Sequence, residues 1–106
     1  GWRVPLAGQD NLSDLAMALD LPVILVVGVR LGCISHALLT AEAIANDGLQ
    51  LAGWVANIID AKTSRLEENL ATLAERLPAP CLGRVPKLKV VTAEAVAQHL
   101  QLDLLD

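Results

Sequence analysis

The sequence predicts an α/β fold, a parallel sheet flanked by helices, and three observations carry that reading. Apolar segments with strand and helix spacing alternate along the chain in the order helix, strand, helix, strand, helix, strand, helix. The run Val23–Val29 has no polar interruption, the pattern of a parallel strand covered on both faces. Gly28 and Gly32 then break the run and a helical pattern follows at once. The carboxyl end of that strand therefore opens onto a helix N-terminus, where open α/β sheets bind ligands and unpaired N–H groups favour an anion.

Each element has its own local cause. In segment 11–19, Leu12, Leu15, Ala16 and Leu19 share one helical face, with Asn11 or Ser13 available as the cap. Pro22 opens the first strand. Ile34, Ala37, Leu38, Ala41, Ile44 and Ala45 line one side of the next helix, which Gly48 closes. Leu51–Asn57 reads as the second strand. Ser64 and Glu67 stand at capping-box spacing ahead of Leu66, Leu70, Leu73, Ala74 and Leu77, and Pro78 ends that helix. Cys81–Val85 is a short third strand. Behind Thr92, Ala93, Val96, Ala97 and Leu100 give a last helix. Parallel strands joined in this way imply right-handed crossovers.

Composition narrows the function. The 106 residues are one domain or part of one, with no Gly/Ser-rich linker and no tandem repeat. Apolar residues make up 54% of the chain against 19% charged, so some apolar surface is expected to lie against another chain. Trp2 and Trp54 are the only aromatic residues and the net charge is −4, which speaks against base stacking and against nucleic acid or an anionic membrane as partner. The apolar run from Leu21 is too short to span a bilayer. Cys33 and Cys81 have neither disulfide-framework nor zinc spacing, and a reducing cytoplasm is the expected setting. Both cysteines read as small packing residues, Cys81 as a buried one.

The Gly-x-x-x-x-Gly-Lys-Ser/Thr phosphate loop does not occur in the sequence. Asn57 ends a strand at the ligand edge; its amide offers one donor and one acceptor that match adenine N6 and N7, although a strand-end asparagine more commonly forms a turn. Asp60 follows Asn57 without the lysine of a guanine-reading motif. His36 has no acid or nucleophile paired with it and reads as a surface or interface histidine, His99 has no partner motif, and Glu67 and Glu68 read as a cap and a solvated face.

Gly1-Trp2-Arg3-Val4-Pro5-Leu6, Leu21 through Gly28, Leu31-Gly32-Cys33-Ile34, Gly53-Trp54-Val55-Ala56-Asn57, and Pro78-Ala79-Pro80 through Gly83 to Pro86 together resemble the C-terminal half of the dethiobiotin synthetase family. The resemblance implies a partial P-loop NTPase-like sheet, lacking the N-terminal P-loop strands, with residues 1–106 as the C-terminal portion of one domain. It also implies an ATP-dependent cyclo-ligase that closes the ureido ring of dethiobiotin from 7,8-diaminononanoate and CO2 with ATP and Mg2+. The implied protein is a homodimer with its substrate site at the interface.

Residue by residue, the resemblance implies that Asn57 reads adenine and that Pro86, Lys87 and Leu88 line the purine pocket, where a Val-Pro pair alone would merely end a strand. It implies that Gly32, Cys33, Ile34 and Ser35 hold the substrate carboxylate through backbone N–H groups across the dimer interface. Ser35 stands where some members carry asparagine, and Asn69 where some carry tyrosine. In the family the phosphate loop, the assisting lysine and the acidic magnesium ligands precede the position of Gly1, which matches the last glycine of a Glu-Gly-Ala-Gly-Gly motif. The start at Gly1 reads as a cut edge, and the chain alone is expected to be inactive. Two other classes fit less well: a cobyrinic acid diamide synthase-like relative, in which Trp54 before Val-Ala-Asn is unexpected, and a non-catalytic nucleotide-binding or interaction module.

Overall fold

The computed structural model describes residues 1–60, 62 and 65–105. A short antiparallel hairpin comes first, β1 (Pro5–Ala7) with β2 (Asp10–Asn11), followed by α1 (Leu12–Leu19). The main sheet is parallel, in the order β3 (Val23–Val29), β4 (Leu51–Ile58), β5 (Cys81–Val85). Its crossovers are α2 (Cys33–Asn46) and α3 (Leu66–Arg76). A five-residue α4 (Ala93–Ala97) and a 3-10 turn (Leu102–Leu105) complete the chain. The α/β class and the three strands stand as the sequence predicts, except that β4 runs one residue past Asn57 because Ile58 pairs with Val29.

Because β3, β4 and β5 advance in one direction across the sheet, right-handed crossovers place α2 and α3 on the same face. The main core forms there. Cys33, Ala37 and Ala41 of α2 meet Val27 and Val29, while Leu70, Leu73 and Leu77 of the α3 segment close over Trp54 and Ala56. The small residues of α2 let its backbone approach the sheet closely, and the bulk comes from Trp54, which is 1% exposed.

That placement corrects the expectation that β3 is covered on both faces. Leu25, Val27 and Val29 face the helices, but Ile24 and Val26 on the other side are 43% and 61% exposed. A continuous apolar run records which surfaces a strand can bury, and in this chain only one of them finds a helix. The opposite face of the sheet is covered further along, where Val55, Leu82 and Val85 pack with Leu88, Val96 and Leu100.

Three local expectations also change. Helical spacing to Leu100 overruns α4, because the chain leaves the helix after Ala97 and Leu100 bridges to Gly83 instead. Cys81 is exposed rather than buried, since it begins an outer strand of the sheet. The residue preceding α3 is Arg65, in the left-handed conformation at φ 57°, and the expected cap Ser64 lies outside the described residues. At α1, Asn11 precedes the helix as expected and its N–H donates to Asp14 Oδ2 at 2.7 Å. Thr92 caps α4, accepting from the Ala95 amide at 3.0 Å.

The N-terminal segment is fastened to the end of α2 by one carboxylate. Asp47 accepts from both terminal nitrogens of Arg3, at 2.7 and 3.0 Å, and from Trp2 Nε1 at 2.8 Å; Arg3 also donates to the Oγ of buried Ser13 at 3.0 Å. The Arg3 guanidinium first, and then the Trp2 indole, hold the Asp47 carboxyl below its ordinary 3.8. A carboxyl held low when folded contributes stability above its unfolded pKa and loses that contribution as pH falls through the folded value. The urea midpoint of the native chain is therefore expected to fall more steeply between pH 5 and pH 3 than that of Asp47→Asn. Parallel curves for the two proteins would show that the clamp contributes nothing to acid sensitivity.

Candidate functional site

The register of the sheet assembles the site at its carboxyl edge. Gly28 of β3, Asn57 of β4 and Val85 of β5 are neighbours across the ladder. Asn57 alternates with the buried Ala56 and Ile58, so its side chain leaves the face opposite α2 and α3. It is exposed, and among the described residues its amide has no hydrogen-bond partner. Val85 leads directly into Pro86, which lacks an N–H and so ends the strand.

Past that edge lies a cavity of about 630 Å³. Asn57, Pro86, Lys87 and Leu88, the four residues marked as nucleotide-side, all line it. Its remaining walls are apolar, with Val55 beneath and Val96 and Leu100 opposite. The lining combines hydrocarbon with one amide, Asn57, and one cation, Lys87. Val96 and Leu100 were legible in the sequence only as a helix face. Their place in this wall follows from the return of the chain to β5, for which the sequence carries no local signal.

The four substrate-side residues occupy the turn from β3 into α2. Gly32 precedes the helix at φ 88°, a left-handed conformation that residues with a Cβ adopt at a cost. A Cβ there would meet nothing within 4 Å, so the requirement is conformational rather than steric. Cys33 buries its side chain in the main core and its amide donates to the Arg30 carbonyl at 3.1 Å. This leaves the amides of Ile34 and Ser35 as the first-turn donors for an incoming acceptor. Ile34 is half-buried against the core and Ser35 is exposed.

A second, smaller cavity of about 230 Å³ opens beside this turn, bounded by Gly28, Arg30, Cys33 and His36. Gly32, Ile34 and Ser35 are not among its walls. Val26 and Ile59 line both cavities, so they form the ridge between them. Of the substrate-side residues only Cys33 reaches the smaller cavity, which these two apolar side chains separate from the larger one.

Other polar residues resolve into local roles. Asp60 Oδ1 accepts the Lys62 amide at 2.9 Å, a turn contact. Glu67 pairs with Arg84 of β5 at 2.9 Å on an exposed surface, where such a pair contributes little. Asn69 is half-buried within α3. Among the described residues no group of three or more His, Cys, Asp or Glu side chains could hold a metal ion. Among them, too, no helix is long and apolar enough to cross a membrane.

Comparison with known proteins gives the same direction. The family model described as AAA domain matches residues 1–95. The chain is 76% identical over 102 residues to the ATP-dependent dethiobiotin synthetase BioD of Pseudomonas aeruginosa strain UCBPP-PA14, a match covering 96% of this chain and 45% of that protein. It is 63% identical to the BioD of Cellvibrio japonicus, with the same coverage. To the BioD of Xanthomonas campestris pv. campestris strain ATCC 33913 it is 56% identical, over 96% of this chain and 46% of that protein. The chain therefore spans slightly less than half the length of the curated relatives it matches. It belongs to the AAA domain family, and its similarity within that family is to part of the ATP-dependent dethiobiotin synthetases.

Proposed function

We propose that this chain supplies the base-binding and carboxylate-binding edge of an ATP-dependent dethiobiotin synthetase. The complete enzyme closes the ureido ring from 7,8-diaminononanoate and CO2, with ATP and Mg2+. The observation that carries the reading is the convergence of Asn57, Pro86, Lys87 and Leu88 on one 630 Å³ cavity at the sheet's carboxyl edge. The family match adds that a nucleotide is the ligand to seek there.

In this reading Asn57 donates its amide N–H to adenine N7 and accepts from the N6 amino group, and the apolar walls exclude water from the ring faces. Lys87 lines the same cavity, and its ammonium favours the anionic side of a nucleotide. The substrate carboxylate approaches the first turn of α2, where the amides of Ile34 and Ser35 and the positive helix end stabilise it. The turn serves a site shared with the partner subunit of a homodimer. The exposed Ile24, Val26 and Leu31, the last 89% exposed, are consistent with that association. The setting is cytoplasmic, in keeping with two free thiols.

The 106 residues contain no phosphate loop, and phosphoryl transfer depends on clamping the transferred group. The purified chain is expected to show no magnesium-dependent ATP hydrolysis and no dethiobiotin formation. Light scattering at micromolar concentration is expected to find it associated through its open sheet face. Turnover by the isolated chain, or a compact monomer that binds no apolar dye, would contradict this division of labour.

A further inference from the structure

We infer that Gly83 is a positioning residue for the base cavity: lacking a Cβ, it lets segment 99–101 dock on β5 and so holds Leu100 and Val96 in the cavity wall. The wall does not belong to the sheet. It comes from Val96 of α4 and Leu100 of the chain beyond it, which turns back through bonds from the His99 amide to the Val96 carbonyl at 3.0 Å and from the Leu100 amide to the Ala97 carbonyl at 3.1 Å. The returning segment then meets β5 edge-on. Leu100 forms an antiparallel bridge with Gly83, and the Gln101 amide donates to the Leu82 carbonyl at 2.6 Å.

The contact at Gly83 is backbone against backbone. A Cβ placed there would overlap the His99 carbonyl oxygen, and would stand 2.9 Å from the His99 carbonyl carbon and 3.2 Å from Leu100 Cα. None of these atoms can turn aside as a flexible side chain would. Any side chain at position 83 must therefore push segment 99–101 off the strand. The Gln101 bond would go with it, and Leu100 would leave the small core it shares with Val55, Leu82 and Val85. One side of the cavity would open to solvent. By contrast, a Cβ at Gly53 of β4 would press on the Leu82 side chain from 2.8 Å, a contact with a side chain and not with the backbone of the docked segment.

The docking itself is read by hydrogen–deuterium exchange of the 106-residue chain, followed on the peptide that contains residues 99–105. Gly83→Ala is expected to speed exchange there at least tenfold while the peptides of β4 and α3 keep their protection. A chain ending at Gln98 removes the segment without touching β5, and serves as the second variant should Gly83→Ala lower the overall fold. The consequence for the cavity is read by titrating adenosine, and this arm rests on the nucleotide reading given above. Both variants are expected to weaken adenosine at least tenfold relative to the native chain.

Unchanged exchange at residues 99–105 in Gly83→Ala would overturn the inference. So would faster exchange in Gly83→Ala, or loss of the segment in the shortened chain, with adenosine binding intact. Failure of the native chain to bind adenosine would count against the base site, whereas the exchange arm would still decide whether Gly83 seats the wall.

Discussion

In a complete synthetase that carries this chain, Asn57→Ala is expected to raise the KM for ATP and to let other purine triphosphates compete. Asn57 is placed by β4 between Gly28 and Val85, with its amide unpartnered among the described residues and directed to the face that carries the cavity. Two directed hydrogen bonds to one base edge are lost in the variant, and the base is left with unpaired polar atoms in an apolar surround. A loss of about 1–3 kcal/mol, or roughly 5- to 150-fold, follows. The KM for the diamino acid should stay within about twofold, because none of Gly32, Cys33, Ile34 and Ser35 lines the cavity that Asn57 lines. Steady-state kinetics with ATP, GTP and ITP measures all three quantities. An unchanged ATP KM with unchanged base preference would remove Asn57 from the base site.

The complementary result is expected from Gly32→Val. Position 32 sits at φ 88°, where a β-branched residue is strained by about 1–3 kcal/mol. The turn must shift to relieve that strain, and with it the amides of Ile34 and Ser35. The diamino acid is expected to bind at least tenfold more weakly while ATP affinity changes little. Mixing this variant with a second inactive variant, damaged in the phosphate loop of the complete protein, should restore part of the activity through heterodimers with one intact site. Demonstrated subunit exchange without any recovery would place the carboxylate site within one subunit.

Much of this architecture was legible because the strongest local signals agree with the packing. Val23–Val29 is bounded by Pro22 on one side and the Gly32 turn on the other, and the strand observed has the bounds predicted. Cys81–Val85, set between Pro80 and Pro86, is equally well delimited. Asn57 is one residue short of the end of β4, because Ile58 pairs with Val29 and extends the ladder. What periodicity could not show is which faces meet. Ile24 and Val26 read as core but remain open, since both crossover helices fall on the far side of β3. Leu100 reads as a fourth helical contact but serves as a strand bridge, because the approach to Gly83 is a tertiary event with no signature in the local spacing.

The site divides along the same line. Pro86, Lys87 and Leu88 follow directly on a strand end, so a sequence reading could place them near Asn57, and the structure brings all four to one cavity. The wall opposite, Val96 and Leu100, depends on the return of the chain over β5 and had to be seen. On the substrate side, the sequence marked the turn, but only the structure shows that the Cys33 amide is already engaged by Arg30 and that the free donors lie one and two residues later.

The most direct test of the assignment is a substitution of whole segments. In the Pseudomonas aeruginosa synthetase, the stretch that matches this chain at 76% identity is replaced by these 106 residues, and the purified hybrid is assayed for ATP-dependent dethiobiotin formation from 7,8-diaminononanoate and CO2. Activity within about tenfold of the parent enzyme, abolished for the isolated chain, is the expected result. A folded hybrid that binds neither ATP nor the diamino acid would contradict the proposal that this chain forms the base-binding and carboxylate-binding edge of the enzyme.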